Sequence, residues 1–338
     1  MSWFPAGRKP SAVVRPRPGG RLSPTSTIRI ALSRPIADVL GNRRPTIEPR
    51  TPGTWRQVDS HTLTFRPTGY GFPLGGLLRV RLPRSVAVVR ADSSRHTVRS
   101  LGWSVASGST LRADQILAQL GYLPLAWSAA HHGVLRRPEA QAAAAVAPPS
   151  GRFSWRFPNT PASLRQMWQP GASGTVLQGA IMAFQYDHGL TTDGLLGPEV
   201  WRTLMGAAVA GKRSTFGYSY VTVQRAIPQT LTVWHNGKVL LTAPANTGIP
   251  SAPTAPGVYP VYERMSVGTM SGTNPDGSHY SDPGIPWISY FHGGDAIHGF
   301  NRGSYGVPQS LGCVELQPDT AGRVWPETPI GTLVNVET

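Results

Sequence analysis

From Thr27 the chain alternates apolar and polar positions in short runs: Ile28, Ile30 and Leu32, then Trp55, Leu63 and Phe65, then Leu78, Val80 and Leu82. Each run is bounded by Pro or Gly, and a two-residue period of this kind predicts half-buried strands. Their spacing predicts a β-sandwich over 25–103, with Val86, Val88 and Val98 marking a looser strand pair or linker toward Trp103. Upstream, residues 1–24 include Arg15-Pro16-Arg17-Pro18-Gly19-Gly20 and bury too little apolar surface to fold, which predicts a disordered tether.

The period then changes. Ile116, Leu117 and Leu120 share one face of a short helix over Leu111–Leu123, with Gly121 as its stop. After a break, Val176, Leu177, Ala180, Ile181 and Phe184 keep helical spacing, and a third helix runs through Val200, Trp201 and Leu204. This predicts a small helical domain over 111–210, interrupted by an insertion near 124–174. From Phe216 the strand pattern returns. Leu231–Trp234 and Lys238–Leu241 flank Asn236-Gly237, a strong signal for a type I′ hairpin. Ser266–Pro283 is rich in Gly, Ser and Asn, and is predicted to be a long loop that acts as a lid. Trp287–Phe291 predicts the strand leading to His298, and Thr332–Glu337 the strand that closes the sheet. The fold class expected is multidomain and mainly β: a sandwich, a three-helix middle domain and a mixed β-sheet domain over 214–338.

The chain has one cysteine, Cys313, preceded by Ser310-Leu311-Gly312 and followed by the alternating Val314, Glu315 and Leu316. It is therefore expected where a loop enters a strand. Fourteen residues separate it from His298, which sits between Ala296-Ile297 and Gly299 as at a strand end, so that thiol and imidazole can meet across neighbouring strands. A free thiol with a pKa of about 8.5 is mostly protonated at neutral pH, and an adjacent imidazole can take its proton. Backbone N–H groups of Gly312, Cys313 and Leu311 are candidates for an oxyanion hole, and the Ser310 carbonyl for orienting His298. The bland alternative makes Cys313 a buried small hydrophobe and His298 a core histidine. Taken on residues alone, the site is that of a β-sheet cysteine acyltransferase or hydrolase.

His298-Gly299, a Gly-rich loop and Ser310-x-Gly312-Cys313-Val314 resemble the active-site signature of L,D-transpeptidases with a YkuD-type catalytic domain. The likeness extends through Thr254-Ala-Pro256-Gly257-Val-Tyr259 and the terminal strand. The family usually has Arg or Asn where Glu315 stands here, which puts substrate contacts at that position in question. The Ala-Phe-Gln…Asp-Gly…Gly-Pro…Val-Trp series of 183–201 resembles a peptidoglycan-binding domain, and the strand series from Ile28 to Pro83 an Ig-like domain. The resemblance implies that Cys313 attacks a stem peptide of peptidoglycan and passes the acyl group to an amine of a neighbouring stem, with His298 as base and no cofactor. It also implies acylation by carbapenems and an extracytoplasmic place of action. Gly299, Tyr280, His279 and Glu315 are the candidate substrate contacts. The rival readings are a cell-wall cysteine peptidase, whose papain-like form usually has Cys before His, and a non-catalytic peptidoglycan-binding wall protein.

A net charge of +15 comes almost wholly from arginine, the only lysines being Lys9, Lys212 and Lys238. Such a chain suits a polyanionic partner. The basic residues are scattered, with no helical stripe, zinc cluster or helix-turn-helix pattern, so the expectation is anionic cell-wall polymer or membrane surface in preference to nucleic acid, with a solvated surface that has no specific partner as the alternative. His131-His132 lacks further ligands at suitable spacing, so no metal is expected. No run of 18 apolar residues predicts a transmembrane helix. Ser2-Trp3-Phe4-Pro5 leads straight into Arg-Pro-rich sequence without an apolar export segment.

Overall fold

A computed structural model describes residues 10–83, 86–89, 95–96, 101–130 and 135–338. His131, His132 and Val98 lie outside them. The chain divides into two compact units, one of 1–113, 129–150 and 196–211, the other of 114–128, 151–195 and 212–338. The middle segment expected as a domain of its own is thus shared between the two.

In the first unit, Gly53–Gln57, Thr62–Pro67, Ile28–Leu32, Ser11–Arg15, Ala87–Val89 and Arg95–His96 form a six-stranded sheet in that spatial order. Arg21–Leu22, Leu101–Val105, Leu77–Arg81 and Thr46–Glu48 form a second sheet of four. Ile28, Ile30, Leu63 and Phe65 from one sheet share a single core with Leu22, Leu78, Val80 and Trp103 from the other. The two-residue alternation of each strand places these residues on the inner faces.

The expected tether over 1–24 is corrected by this sheet for residues 10–24; residues 1–9 lie outside the described residues. Ser11–Arg15 pairs antiparallel with Ile28–Leu32 and parallel with Ala87–Val89, and Ala12 is fully buried. The Ala-Val-Val run is short, and the Arg-Pro-rich residues after it mask it in any composition window. Between two partners, however, its backbone groups are satisfied on both sides, which an isolated segment cannot achieve.

The helices expected in the middle of the chain form at Thr110–Leu120, Thr175–Asp187 and Pro198–Ala210. Gly121 and Gly211 follow the first and third with φ of +88° and +67°, a left-handed stop that suits glycine. The insertion carries a two-stranded sheet, Leu125–Ala129 with Gly151–Trp155. Its aromatics pack on one another, with Phe153 and Trp168 ring centroids 4.9 Å apart.

Residues 212–338 contribute two sheets to the second unit. One orders Lys238–Pro244, Thr230–His235, Ser219–Gln224, Leu333–Glu337 and Gly257–Pro260; the other orders Glu263–Thr273, His279–His292, Asp295–Gly299 and Val314–Leu316. Val221, Val223, Leu231, Val233, Val334 and Val336 of the first meet Phe291, Ile297, Val314 and Leu316 of the second in one core. Asn236 and Gly237 both take positive φ, 45° and 89°, as the predicted hairpin requires.

The lid expected over 266–283 is instead regular structure. Glu263–Thr273 and His279–His292 form a long antiparallel hairpin, with Met270 opposite Asp282 and Thr273 opposite His279, and only 274–278 connect them. The Gly- and Ser-rich composition reads as loop, yet the two segments pair residue by residue on either side of one register shift between Gly268 and Met270. Cross-strand hydrogen bonds compensate for the weak β-propensity of the glycines.

Candidate active site

Cys313 and His298 stand on neighbouring strands. Asp295–Gly299 and Val314–Leu316 run parallel, with Ile297 opposite Val314 and His298 opposite Glu315. Opposed residues share a face and alternate residues return to it, so Cys313, Glu315, Ala296 and His298 project from one side of the sheet. Ile297 and Val314 point the other way, into the core.

The His298 ring is buried, and its Nδ1 lies 3.1 Å from the Gly299 carbonyl oxygen. A carbonyl can only accept, so Nδ1 carries the proton and Nε2 keeps its lone pair. Burial lowers the imidazole pKa, holding the ring neutral. Gly299 thus does the orienting expected of Ser310. The Ser310 carbonyl accepts from the Ile249 N–H at 2.9 Å, and the hydrogen bond of the ring goes to Gly299. A Cβ on Gly299 would come within 3.0 Å of Pro286 and Pro318, so tight packing fixes this carbonyl.

Cys313 is partly exposed. Its S–H donates weakly to the Gly294 carbonyl at 3.8 Å. Burial, together with the charges of Asp295 and Glu315, pushes the thiol pKa up to about 12. Among the described residues no hydrogen bond joins the sulfur to the imidazole. The resting site therefore holds a neutral thiol beside a neutral imidazole, where an ion pair was expected.

The turn before the thiol is held by Ser310, whose Oγ donates to the Cys313 carbonyl at 2.5 Å and accepts from the Gly312 N–H at 3.3 Å. The Gly312 N–H, expected in the oxyanion hole, is thereby engaged. Those of Leu311 and Cys313 donate to no group among the described residues. Gly312 has φ of +118°, and a Cβ there would fall 2.3 Å from Asp295 Oδ1. Only glycine fits.

Glu315, expected on a pocket wall, is 5% exposed and grips Arg302 in a two-pronged ion pair: Nε to Oε2 at 2.8 Å and Nη2 to Oε1 at 2.7 Å. Arg302 also donates to the Gln309 carbonyl and lies over the Phe300 ring. The reason for the burial is topological. The backbone of Glu315 bridges to Asn246 in both directions at 2.9 Å, which ties this strand to the segment after Lys238–Pro244.

Tyr280 lies in the hairpin, with its hydroxyl in electrostatic range of Cys313, as are those of Tyr262 and Tyr290. His279 is exposed at the hairpin tip and bonds Thr273 Oγ1 at 3.3 Å, with nothing linking it to the thiol. Sequence reasoning missed Arg302, Asp295, Tyr262 and Tyr290. The Arg302 signal was the acid at 315, a charge that strand alternation buries and that therefore needs a partner. Among the described residues no group of His, Cys, Asp and Glu is arranged to hold a metal ion.

Residues 218–336 match the L,D-transpeptidase catalytic domain family, YkuD, and residues 166–204 match a putative peptidoglycan binding domain. The chain therefore carries the catalytic domain of a cell-wall cross-linking transpeptidase, an acyltransferase, with a peptidoglycan-binding module that implies an extracytoplasmic, cell-wall location. No curated protein matches the chain. Among solved structures, an L,D-transpeptidase from Mycobacterium smegmatis is similar at 13% identity, with 97% of this chain and 99% of that one covered and a TM-score of 0.32. The catalytic domain of the E. faecium L,D-transpeptidase is similar at 26% identity over 37% of this chain and 100% of that one, with a TM-score of 0.33. L,D-transpeptidase 3 from Mycobacterium tuberculosis is similar at 12% identity, covering 96% and 97%, with a TM-score of 0.32.

Proposed function

We propose that Cys313 is the nucleophile of a transpeptidation on peptidoglycan stem peptides, with His298 as its base. The observation that carries this reading is the register of Asp295–Gly299 against Val314–Leu316, which sets thiol and imidazole on one face within a matched catalytic domain. Substrate supplies what the resting site lacks. A turn about the Cα–Cβ bond of Cys313 swings its S–H from the Gly294 carbonyl toward His298 Nε2, which takes the proton as sulfur attacks the carbonyl before a terminal D-alanine. The tetrahedral oxyanion takes hydrogen bonds from the Leu311 and Cys313 N–H groups. The C–N bond then breaks, His298 returns the proton to the leaving amine, and a thioester remains. An amine of a neighbouring stem attacks that thioester, its proton passes to His298, and the C–S bond breaks to free the thiol. The chain's charge of +15 supports retention on anionic wall polymer, and the matched module supports a hold on peptidoglycan.

The test is a β-lactam adduct. Carbapenems present a strained amide to the same nucleophile, and the protein gains the mass of one carbapenem at Cys313. Cys313→Ala forms none, and His298→Ala forms it about 10²- to 10⁴-fold more slowly. A wild-type thiol that stays unmodified, or a His298→Ala variant acylated at the wild-type rate, hands the site to the wall-binding rival, which the neutral resting thiol favours.

A further inference from the structure

Cys313 is set against the peptide segment of Asp295: its S–H faces the Gly294 carbonyl at 3.8 Å, and it packs on the cluster that contains Ala296. The Asp295 side chain turns the same way. Oδ1 lies over Gly312, so close that a Cβ on Gly312 would be 2.3 Å away, while Oδ2 accepts from the Ala255 N–H at 3.3 Å and lies 3.7 Å from His292 Nδ1. Among the described residues nothing donates to Oδ1. The side chain is 17% exposed, so it is reachable yet poorly hydrated.

Two anions act on the thiol, Asp295 and Glu315. Glu315 is held by the two-pronged Arg302 fork, whereas Asp295 has only the His292 imidazole and the Ala255 N–H at Oδ2 and keeps Oδ1 open. The other groups in electrostatic range of the thiol are the hydroxyls of Tyr262, Tyr280 and Tyr290. A partly buried carboxylate with an open oxygen favours cations and repels anions.

Resting on the reading of Cys313 as the nucleophile, we propose that Asp295 is a charge-selecting residue that holds a protonated amine beside Cys313, and so admits amine-bearing acceptors in preference to neutral or acidic ones. At neutral pH a free alkylamine is an ammonium ion, and Oδ1 is the open acceptor for it next to the reacting sulfur. A bound ammonium also cancels the field that Asp295 exerts on the thiol. The held ammonium gives up one proton to His298 Nε2 before it attacks the thioester; the C–N bond then forms, the C–S bond breaks, and the amine's second proton passes to the departing sulfur.

Charged methanethiosulfonates test this without any transpeptidation. The full chain is treated at pH 8, above the range where imidazoles charge, with the trimethylammonium-ethyl, the sulfonato-ethyl and the neutral methyl reagent, and the rate of Cys313 modification is followed by mass. Relative to free cysteine, wild type favours the cationic over the anionic reagent by on the order of tenfold or more. Asp295→Asn brings that preference down to the free-cysteine value and raises the rate with the neutral reagent, because the thiolate is no longer opposed. Asp295→Glu keeps the preference, which separates charge from loss of fold. A preference unchanged in Asp295→Asn, or one removed by Asp282→Asn in its place, overturns the assignment. These reagents need only a thiol. If selectivity tracks Asp295 while carbapenem acylation fails, the transpeptidase reading falls and the charge assignment stands.

Discussion

Removing one member of the Arg302–Glu315 pair should be far more damaging than removing the other. The Glu315 side chain is 5% exposed and that of Arg302 is 31% exposed. Arg302→Met keeps an apolar stem over Phe300 but leaves a buried carboxylate without its partner, a loss that typically costs about 3–5 kcal/mol. The partial exposure of Arg302 places the cost near the lower end, about 3 kcal/mol. For a unit of this size each kcal/mol lowers Tm by roughly 2–4 °C, which gives a drop of about 6–12 °C. Glu315→Gln strands the guanidinium instead, but water reaches it and the Gln309 carbonyl still accepts from it. The cost there is about 1 kcal/mol, or roughly 2–4 °C. Replacing both, as Arg302→Met with Glu315→Leu, removes the unpaired charge and should recover most of the loss. Calorimetry of the transition that contains the catalytic unit measures all three. Equal costs for the two single changes, or a double variant as unstable as their sum, would refute the claim that Glu315 is a buried charge dependent on Arg302.

Two further expectations concern the turn and the thiol. Gly312→Ala forces a side chain onto Asp295 at positive φ, and should cost about 1–3 kcal/mol in unfolding experiments while displacing Cys313 enough to slow its acylation; wild-type stability and rate together would show that the turn relaxes freely. With the thiol pushed up to about 12, alkylation by iodoacetamide in the absence of substrate should climb about tenfold per pH unit from about pH 7 to 10 without levelling, because the thiolate fraction grows in proportion below the pKa. A plateau setting in near pH 8.5 would mark an ordinary cysteine.

Strand existence and strand faces were legible because a period of two survives in single runs: Ile28–Leu32, Leu77–Arg81 and the Asn236-Gly237 hairpin are all where that period and the turn chemistry predict them. Two segments were misread from composition. Ser11–Arg15 and the hairpin over 263–292 look like linker because Pro, Arg, Gly and Ser surround or fill them, whereas partner strands decide the outcome. At the site, the pairing of Cys313 and His298 on adjacent strands follows from flanking residues. The orienting carbonyl, the burial of Glu315 and the approach of Asp295 do not, since each depends on contacts between segments that spacing cannot register. Glu315 shows the limit most clearly. Alternation gives the face it shares with the thiol, but only the Asn246 bridge explains why that face is covered there.

The neutral resting thiol has a consequence for durability. Peroxides attack thiolate and leave thiol almost untouched, and a sulfur carried past the sulfenic stage is not restored. With burial first, and the charges of Asp295 and Glu315 after it, opposing ionisation, Cys313 passes the time between substrates in its oxidation-resistant form. As the sole cysteine of the chain, it has no internal partner with which a sulfenic acid could be trapped as a disulfide. Resistance to oxidation thus has to come from the electrostatics around the sulfur, and the reactive anion exists only while a substrate occupies the site.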